Sequence, residues 1–173
     1  MTTPVMIRPV LPDEWARWRD IRVRMLRDDP VAFATRWEDA AAELDETWRD
    51  WVGAATGERR ILFAAETDGR WIGVVAAFVR IDPREAQLMS MWVDPVARGQ
   101  GVAEALIGAV GEWASERGCE TVYLFVQEAN SRARRLFERA GVRPTGARTP
   151  TGRGRAGFKV VLAAPVDELT RSR

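Results

Sequence analysis

An apolar run, Leu88-Met89-Ser90-Met91-Trp92-Val93, passes through Asp94-Pro95 into Arg98-Gly99-Gln100-Gly101-Val102-Ala103 and then into a helical repeat. Few folds accommodate that order. The run is rich in side chains suited to a pleated, buried surface, so it predicts a strand. Pro95 ends it, because proline cannot donate to a ladder. Val102, Leu106, Val110 and Trp113 then recur with the spacing of one helix face, and Gly118 stands where a helix stop belongs. The two glycines therefore sit at a helix N-terminus.

Main-chain N–H groups at such a terminus lack helical acceptors and lie at the positive end of the helix dipole. Glycines let an anion approach them closely, and Arg98 adds a fixed charge. The loop is suited to a phosphate or pyrophosphate; the plainer alternative is a helix start in which Gly99 and Gly101 only make the bend. Other phosphate loops fail on spacing. A dinucleotide G-x-G-x-x-G would need glycine at position 104, which is Glu104, and a Walker loop needs Gly-Lys-Ser/Thr, whereas the sole lysine is Lys159.

Arg98-Gly99-Gln100-Gly101-Val102-Ala103, led by Val93-Asp94-Pro95, resembles the arginine/glutamine-x-x-glycine-x-glycine/alanine loop of the GCN5-related N-acetyltransferases. The run Asn130-Ser131-Arg132-Ala133-Arg134-Arg135-Leu136-Phe137-Glu138-Arg139-Ala140-Gly141-Val142 is similar to the asparagine-bearing helix of the same family. The first half of the chain resembles it only in the order of its elements.

The resemblance implies a mixed α/β (α+β) acyl-CoA N-acyltransferase fold, with about seven strands in one sheet flanked by four helices. It also implies acetyl-CoA as co-substrate, with the pantetheine arm entering where the Leu88 and Thr121 strands splay apart. The residues it assigns to the cofactor are Met91, Trp92, Val93, Arg98, Gly99, Gln100, Gly101, Val102, Ala103, Asn130, Arg134 and Phe137. Asn130 also reads as a plain helix N-cap, and both roles are compatible.

With 173 residues the chain suits one domain, residues 1–173, with 164–173 expected to be a frayed tail. The 26 basic residues are balanced by 25 acidic ones, which argues against bulk nucleic-acid binding. No apolar run is long enough to span a bilayer and the N-terminus shows no secretory pattern, so a cytoplasmic protein is expected. Cys119 is the only cysteine and histidine is absent, which removes an internal disulfide, a zinc site and histidine-assisted nucleophiles; no metal is expected. Proton transfer must then use carboxylates, Tyr123, water or backbone.

In chain order, Val5–Val10 predicts a strand and Asp13–Arg27 a helix with Trp15, Trp18, Ile21, Met25 and Leu26 inward and Arg17, Arg19, Arg22 and Arg24 outward. An irregular stretch from Asp28 to Asp39 carries Phe33 and Trp37, and leads to a helix with Leu44, Trp48, Trp51 and Val52 inward; residues 53–57 read as a connection. Residues 61–66 and 71–79 predict a hairpin closed by Asp68-Gly69. With the first strand and the Leu88 strand they form an antiparallel meander. Thr121–Gln127, reached through a helix, should lie parallel to the Leu88 strand. Val142–Arg148 and Ala156–Ala163 predict two last strands around a Gly/Pro-rich loop, Thr149–Gly154.

Transfer from a thioester to an amine needs a neutral amine, a stabilised oxyanion and a departing thiolate. The amine, with a pKa near ~10.4, must lose a proton to a carboxylate, often through water. Candidates are Glu85 and Glu128; the family's usual glutamate aligns with Gln87, which cannot be a base. A main-chain N–H at Met91 or Trp92 could polarise the carbonyl. The family's thiolate-protonating tyrosine aligns with Phe137, which has no proton to give, and the only tyrosine, Tyr123, lies on the preceding strand. A thiol of pKa ~8.5 leaves tolerably unaided, so proximity of two bound substrates suffices for transfer. The resemblance makes Phe33 and Trp37 candidates for acceptor contact, against the alternative that they tuck the loop onto the core.

The expectation is therefore acetyl transfer from acetyl-CoA to a primary amine of a small molecule or peptide in a ternary complex. The alternatives are a CoA-binding protein with weak or no activity, or an enzyme using a longer acyl group. Monomer and homodimer both stay open.

Overall fold

The structure is a computed structural model that describes residues 4–55, 58–152 and 154–170. Seven strands form one sheet in the order β1-β2-β3-β4-β5-β7-β6: β1 Met6–Pro9, β2 Arg60–Thr67, β3 Arg70–Val79, β4 Glu85–Val93, β5 Thr121–Gln127, β6 Arg143–Gly152 and β7 Arg155–Pro165. The expected meander holds: β1 to β4 pair antiparallel in sequence order. The hairpin between β2 and β3 turns at Asp68 and Gly69, both at positive φ (49° and 70°), which matches the twist of the flanking strands. β5 then pairs parallel with β4, as a helical crossover requires.

Among the described residues six α-helices cover the sheet where four were expected: α1 Trp15–Asp28, α2 Trp37–Ala41, α3 Asp45–Ala54, α4 Val102–Glu116, α5 Ser131–Arg139 and α6 Val166–Thr170. On one face Trp18, Met25, Leu26, Trp48 and Val52 of α1 and α3 pack on Leu62, Val74 and Trp92. On the other, Leu106, Val110 and Trp113 of α4, Phe137 of α5 and Leu169 of α6 pack on Val75, Leu88 and Leu124. Because both faces are covered, β3 is buried continuously from Trp71 to Ala77 rather than alternately.

Several sequence expectations need correction. Leu44 precedes α3 and is exposed, because the helix starts one residue later and turns its apolar face through Trp48 and Val52. Gly53 lies within that helix, while Gly57 is outside the described residues. Thr149–Gly152 is strand rather than loop, since the β6–β7 ladder continues to Gly152 opposite Arg155. The tail expected to fray is instead the end of β7 followed by α6, anchored by the Val166 N–H to the Glu120 carbonyl (2.9 Å), with Leu169 buried; residues 171–173 lie outside the described residues. Arg22 does not face out: its guanidinium lies 6.0 Å from the Trp18 ring centroid and 5.2 Å from that of Phe33.

A charged cluster locks β1 to the start of α1. Arg8 donates to Glu14 at 2.7 and 2.8 Å and to Glu66 at 3.1 Å, and the Leu11 N–H donates to Glu14 at 3.0 Å. The Arg8 hydrogen bonds, opposed by burial and aided by Leu11, pull the Glu14 carboxyl down to about 2 from 4.5. A depressed carboxyl pKa stabilises the fold above its ordinary value and stops doing so as pH falls through the folded one. Glu14→Gln should therefore cost about 1.5 kcal/mol near neutrality, as expected for charged hydrogen bonds at a partly solvated site. The gap in melting temperature between variant and parent should close as pH falls from 4.5 to 2. A gap independent of pH would exclude this account.

Candidate functional site

β4 and β5 pair only at Glu85–Thr121, Ala86–Val122 and Gln87–Tyr123. Beyond those three pairs the strands separate, while β5 stays paired with β7 along its whole length. The splay opens a cleft of about 590 Å³, whose walls include Met91, Trp92 and Val93 of β4 and Asn130, Leu136 and Phe137 around α5. At this point β4 carries a bulge. Its register with β3 shifts between Val74 and Ala76, so that Ser90 and Met91 share the space opposite one residue, and Ser90 takes φ +53°.

The cleft continues onto the glycine loop, touching Ala97, Arg98, Gly99, Gly101, Val102 and Ala103. Asp94 builds the turn before it: buried, it accepts from the Val96 N–H at 3.1 Å and is paired with Arg24 at 3.0 Å. Gly101 is the N-cap of α4 at φ +79°. Among the described residues, the N–H groups of Gly99, Gln100, Gly101, Val102 and Ala103 donate to no protein acceptor; the first bond of α4 runs from the Ala105 N–H to the Gly101 carbonyl. These unpaired donors lie where the loop borders the cleft, at Gly99, Gly101, Val102 and Ala103.

Two guanidiniums flank them. Arg98 is oriented by a hydrogen bond to the Val93 carbonyl (3.0 Å), and burial, followed by the nearby Arg132, pulls its pKa below the ordinary value. A bound anion would relieve that mutual repulsion. Arg132 is paired with Asp29 at 2.9 Å across the cleft mouth. Neither Asp29 nor Arg132 was singled out by sequence reading: Arg132 is one of four arginines in α5, and nothing local to Asp29 marks it.

The other predicted residues divide. Asn130 caps α5, its Oδ1 accepting from the Ala133 N–H at 3.1 Å, and borders the cleft. Phe137 and Phe33 line it too. Gln100 turns away, donating to the Val96 carbonyl at 3.0 Å, and Arg134 does not line the cleft, its Nε being buried. Trp37 begins α2, lies beside Arg27 and does not line the cleft. Glu85 and Tyr123 stand at the paired end of β4 and β5, where Arg80 lies 3.5 Å from the Glu85 carboxylate and 4.9 Å from the Tyr123 ring centroid. Six residues of strand, roughly 20 Å, separate Glu85 from Met91, so neither group is within proton-transfer reach of the bulge. Glu128 is at the open end, paired with Arg148 at 3.1 Å and lining a smaller neighbouring cavity.

A sheet split beside a bulge, with free amides where the first splayed strand feeds a helix, defines the acyl-CoA N-acyltransferase fold class, and the comparisons agree. A model of the acetyltransferase (GNAT) family matches residues 15–142, and the chain belongs to that family. It is 36% identical over 129 residues to a mycothiol acetyltransferase of Thermomonospora curvata, covering 75% of this chain and 40% of that protein. It is 35% identical over 94 residues to an uncharacterised N-acetyltransferase of Mycobacterium tuberculosis, covering 54% of this chain and 60% of the relative. The chain thus spans less than two thirds of the length of these relatives. Among solved structures, a GNAT-family acetyltransferase from Streptococcus pneumoniae superposes with a TM-score of 0.78 at 18% identity, covering 94% of this chain and 99% of that one. A putative acetyltransferase from Salmonella typhimurium, solved with its cofactor acetyl-CoA, gives 0.78 at 16% identity, covering 95% of each.

Proposed function

We propose that this chain transfers an acetyl group from acetyl-CoA to a primary amine, with both substrates bound at once. The observation that carries the reading is the row of unpaired amides from Gly99 to Ala103, opening into the cleft between β4 and β5. A pyrophosphate accepts from those amides, aided by the α4 dipole and by Arg98 and Arg132. The pantetheine arm then runs into the splay beside Met91, Trp92 and Val93. The side-chain oxygen of Asn130 already accepts from the Ala133 N–H, and its amide nitrogen is left to donate to the arm. This laying of the arm along β4 brings the thioester to the Ser90–Met91 bulge, where a main-chain N–H polarises its carbonyl.

The acceptor ammonium loses its proton through water, and Glu128 is the carboxylate we assign to take it. The neutral nitrogen attacks the thioester carbon, the nitrogen of the tetrahedral intermediate gives its second proton to water, and collapse of the intermediate forms the amide and expels the thiolate. Phe137 can donate no proton to the sulfur, so the thiolate departs unaided and is neutralised by solvent; most of the acceleration comes from holding the two reactants together. The names of the relatives, mycothiol acetyltransferase among them, support a small-molecule amine as acceptor. We place the reaction in the cytoplasm; no helix among the described residues is long and apolar enough to cross a membrane.

Phe137 also favours a second reading, a CoA-binding protein of low activity, and one pair of measurements separates the two. Acetyl-CoA at about 100 times its Kd should add roughly 2.7 kcal/mol of stability and raise the melting temperature by about 5–10 °C. NADH and ATP should not; equal shifts with all three would remove the loop assignment. Free-thiol release across a panel of amines then decides: release with one of them establishes transfer, and binding without release from any establishes the inactive reading.

A further inference from the structure

The cleft is bounded on its acceptor side by residues 29–36, an irregular segment between α1 and α2. Among the described residues its main-chain hydrogen bonds are few: Asp29 N–H to the Met25 carbonyl and Ala32 N–H to the Asp29 carbonyl, both 3.1 Å, and Ala40 N–H to the Arg36 carbonyl at 3.2 Å. Its remaining ties come from distant arginines. Arg132 of α5 pairs with Asp29, and Arg155, at the start of β7, donates to the Pro30 carbonyl at 3.1 Å and to the Phe33 carbonyl. One planar guanidinium thus seizes two carbonyls three residues apart, a geometry a lysine ammonium does not reproduce.

The residue so held is the aromatic of this segment that lines the cleft. While Arg155 fixes the Phe33 main chain, Arg22 lies 5.2 Å from its ring centroid and approaches the Ser90 hydroxyl to 3.4 Å. A continuous line of contacts therefore runs from the β6–β7 hairpin through Phe33 and Arg22 to the bulge where the thioester is placed. Arg155 itself lines the neighbouring cavity of about 250 Å³, with Gln127, Glu128 and Thr151, and not the cofactor cleft.

Resting on the acetyl-transfer reading, we propose that Arg155 is a positioning residue for the amine acceptor: by tying Pro30 and Phe33 to β7 it holds the Phe33 wall of the site at a set distance from the bulge. Its loss is felt more by the acceptor than by the cofactor, since its own hydrogen bonds go to Pro30 and Phe33 and not to the glycine loop or α5. The property it controls is how closely the amine fits against Phe33.

Arg155→Met and Arg155→Lys test this. With the amine that gives the fastest thiol release, both should raise the amine KM about 10-fold, the worth of one to two lost hydrogen bonds, and leave the acetyl-CoA KM within about twofold. Phe33→Ala should raise the amine KM similarly, and the double variant should be no worse than the poorer single one, because both act on one wall. A parallel rise in acetyl-CoA KM, an unchanged amine KM, or additive effects would overturn the proposal. A second readout is independent of turnover. Arg27 and Arg36 bracket the segment, so untied residues 28–36 should be cut by trypsin about 10-fold faster in Arg155→Met, for the same lost hydrogen bonds. An unchanged cleavage rate would refute the tie itself; faster cleavage in a protein that acetylates no amine would keep the tie and discard the acetyl-transfer reading.

Discussion

Gly101→Val is expected to weaken acetyl-CoA binding at least 100-fold while leaving the protein folded. A Cβ built on Gly101 meets no atom within 4 Å, so the protein itself does not need the space. Two other things do. The residue has φ +79°, where a β-branched side chain is strained by about 1–2 kcal/mol. It also borders the cleft between the amides of Gly99 and Ala103, where a branched side chain would occupy the path of the incoming phosphate. The strain alone predicts a fall in melting temperature of about 2–8 °C. The binding loss predicted is larger, since several charge-assisted hydrogen bonds, each roughly 1.5–3 kcal/mol, depend on close approach to the backbone. Titration of the variant with CoA by calorimetry measures one, and thermal unfolding the other. Unchanged CoA affinity would mean that the loop amides are not the phosphate site.

Leu169→Ala is expected to produce the largest loss of stability, about 3 kcal/mol, or roughly 6–12 °C in melting temperature. Leu169 is 1% exposed and belongs to the core cluster that includes Leu106, Val110 and Phe137. Its seat depends on Gly111 of α4: a Cβ there would come within 2.8 Å of the Leu169 Cβ. Gly111→Val should therefore dislodge α6 and destabilise by a comparable amount, and the two changes together should cost less than their sum because they break one contact. If Leu169→Ala moved the transition by less than about 2 °C, burial of α6 would be an insignificant part of the fold.

The residues around the β4–β5 cleft were largely legible in the sequence because each carries a local signature. Positive-φ glycines beside an arginine, a proline-stopped apolar strand and an asparagine three residues ahead of its helical N–H are all short-range patterns, and the backbone conformations they demand are the ones found. Failures arose where position depends on register or on distant partners. Glu85 and Tyr123 sit on the strands that form the cleft, but the parallel ladder pairs them at its closed end. Trp37 shares a segment with Phe33, yet α2 carries it away toward Arg27. The C-terminal residues looked polar and terminal, and only the small residues of α4 make a place for Leu169.

The chain's local chemistry was enough to establish its strand order, its glycine-rich turn at the start of α4 and, with no histidine, the narrow set of groups able to move a proton. Those properties are set by backbone preference and side-chain inventory within a few residues. The splay of β4 from β5, the bulge at Ser90 and the arginine ties that hold Asp29, Pro30 and Phe33 were decided by packing. They join residues up to 125 positions apart, and such contacts form only when the sheet brings their elements together.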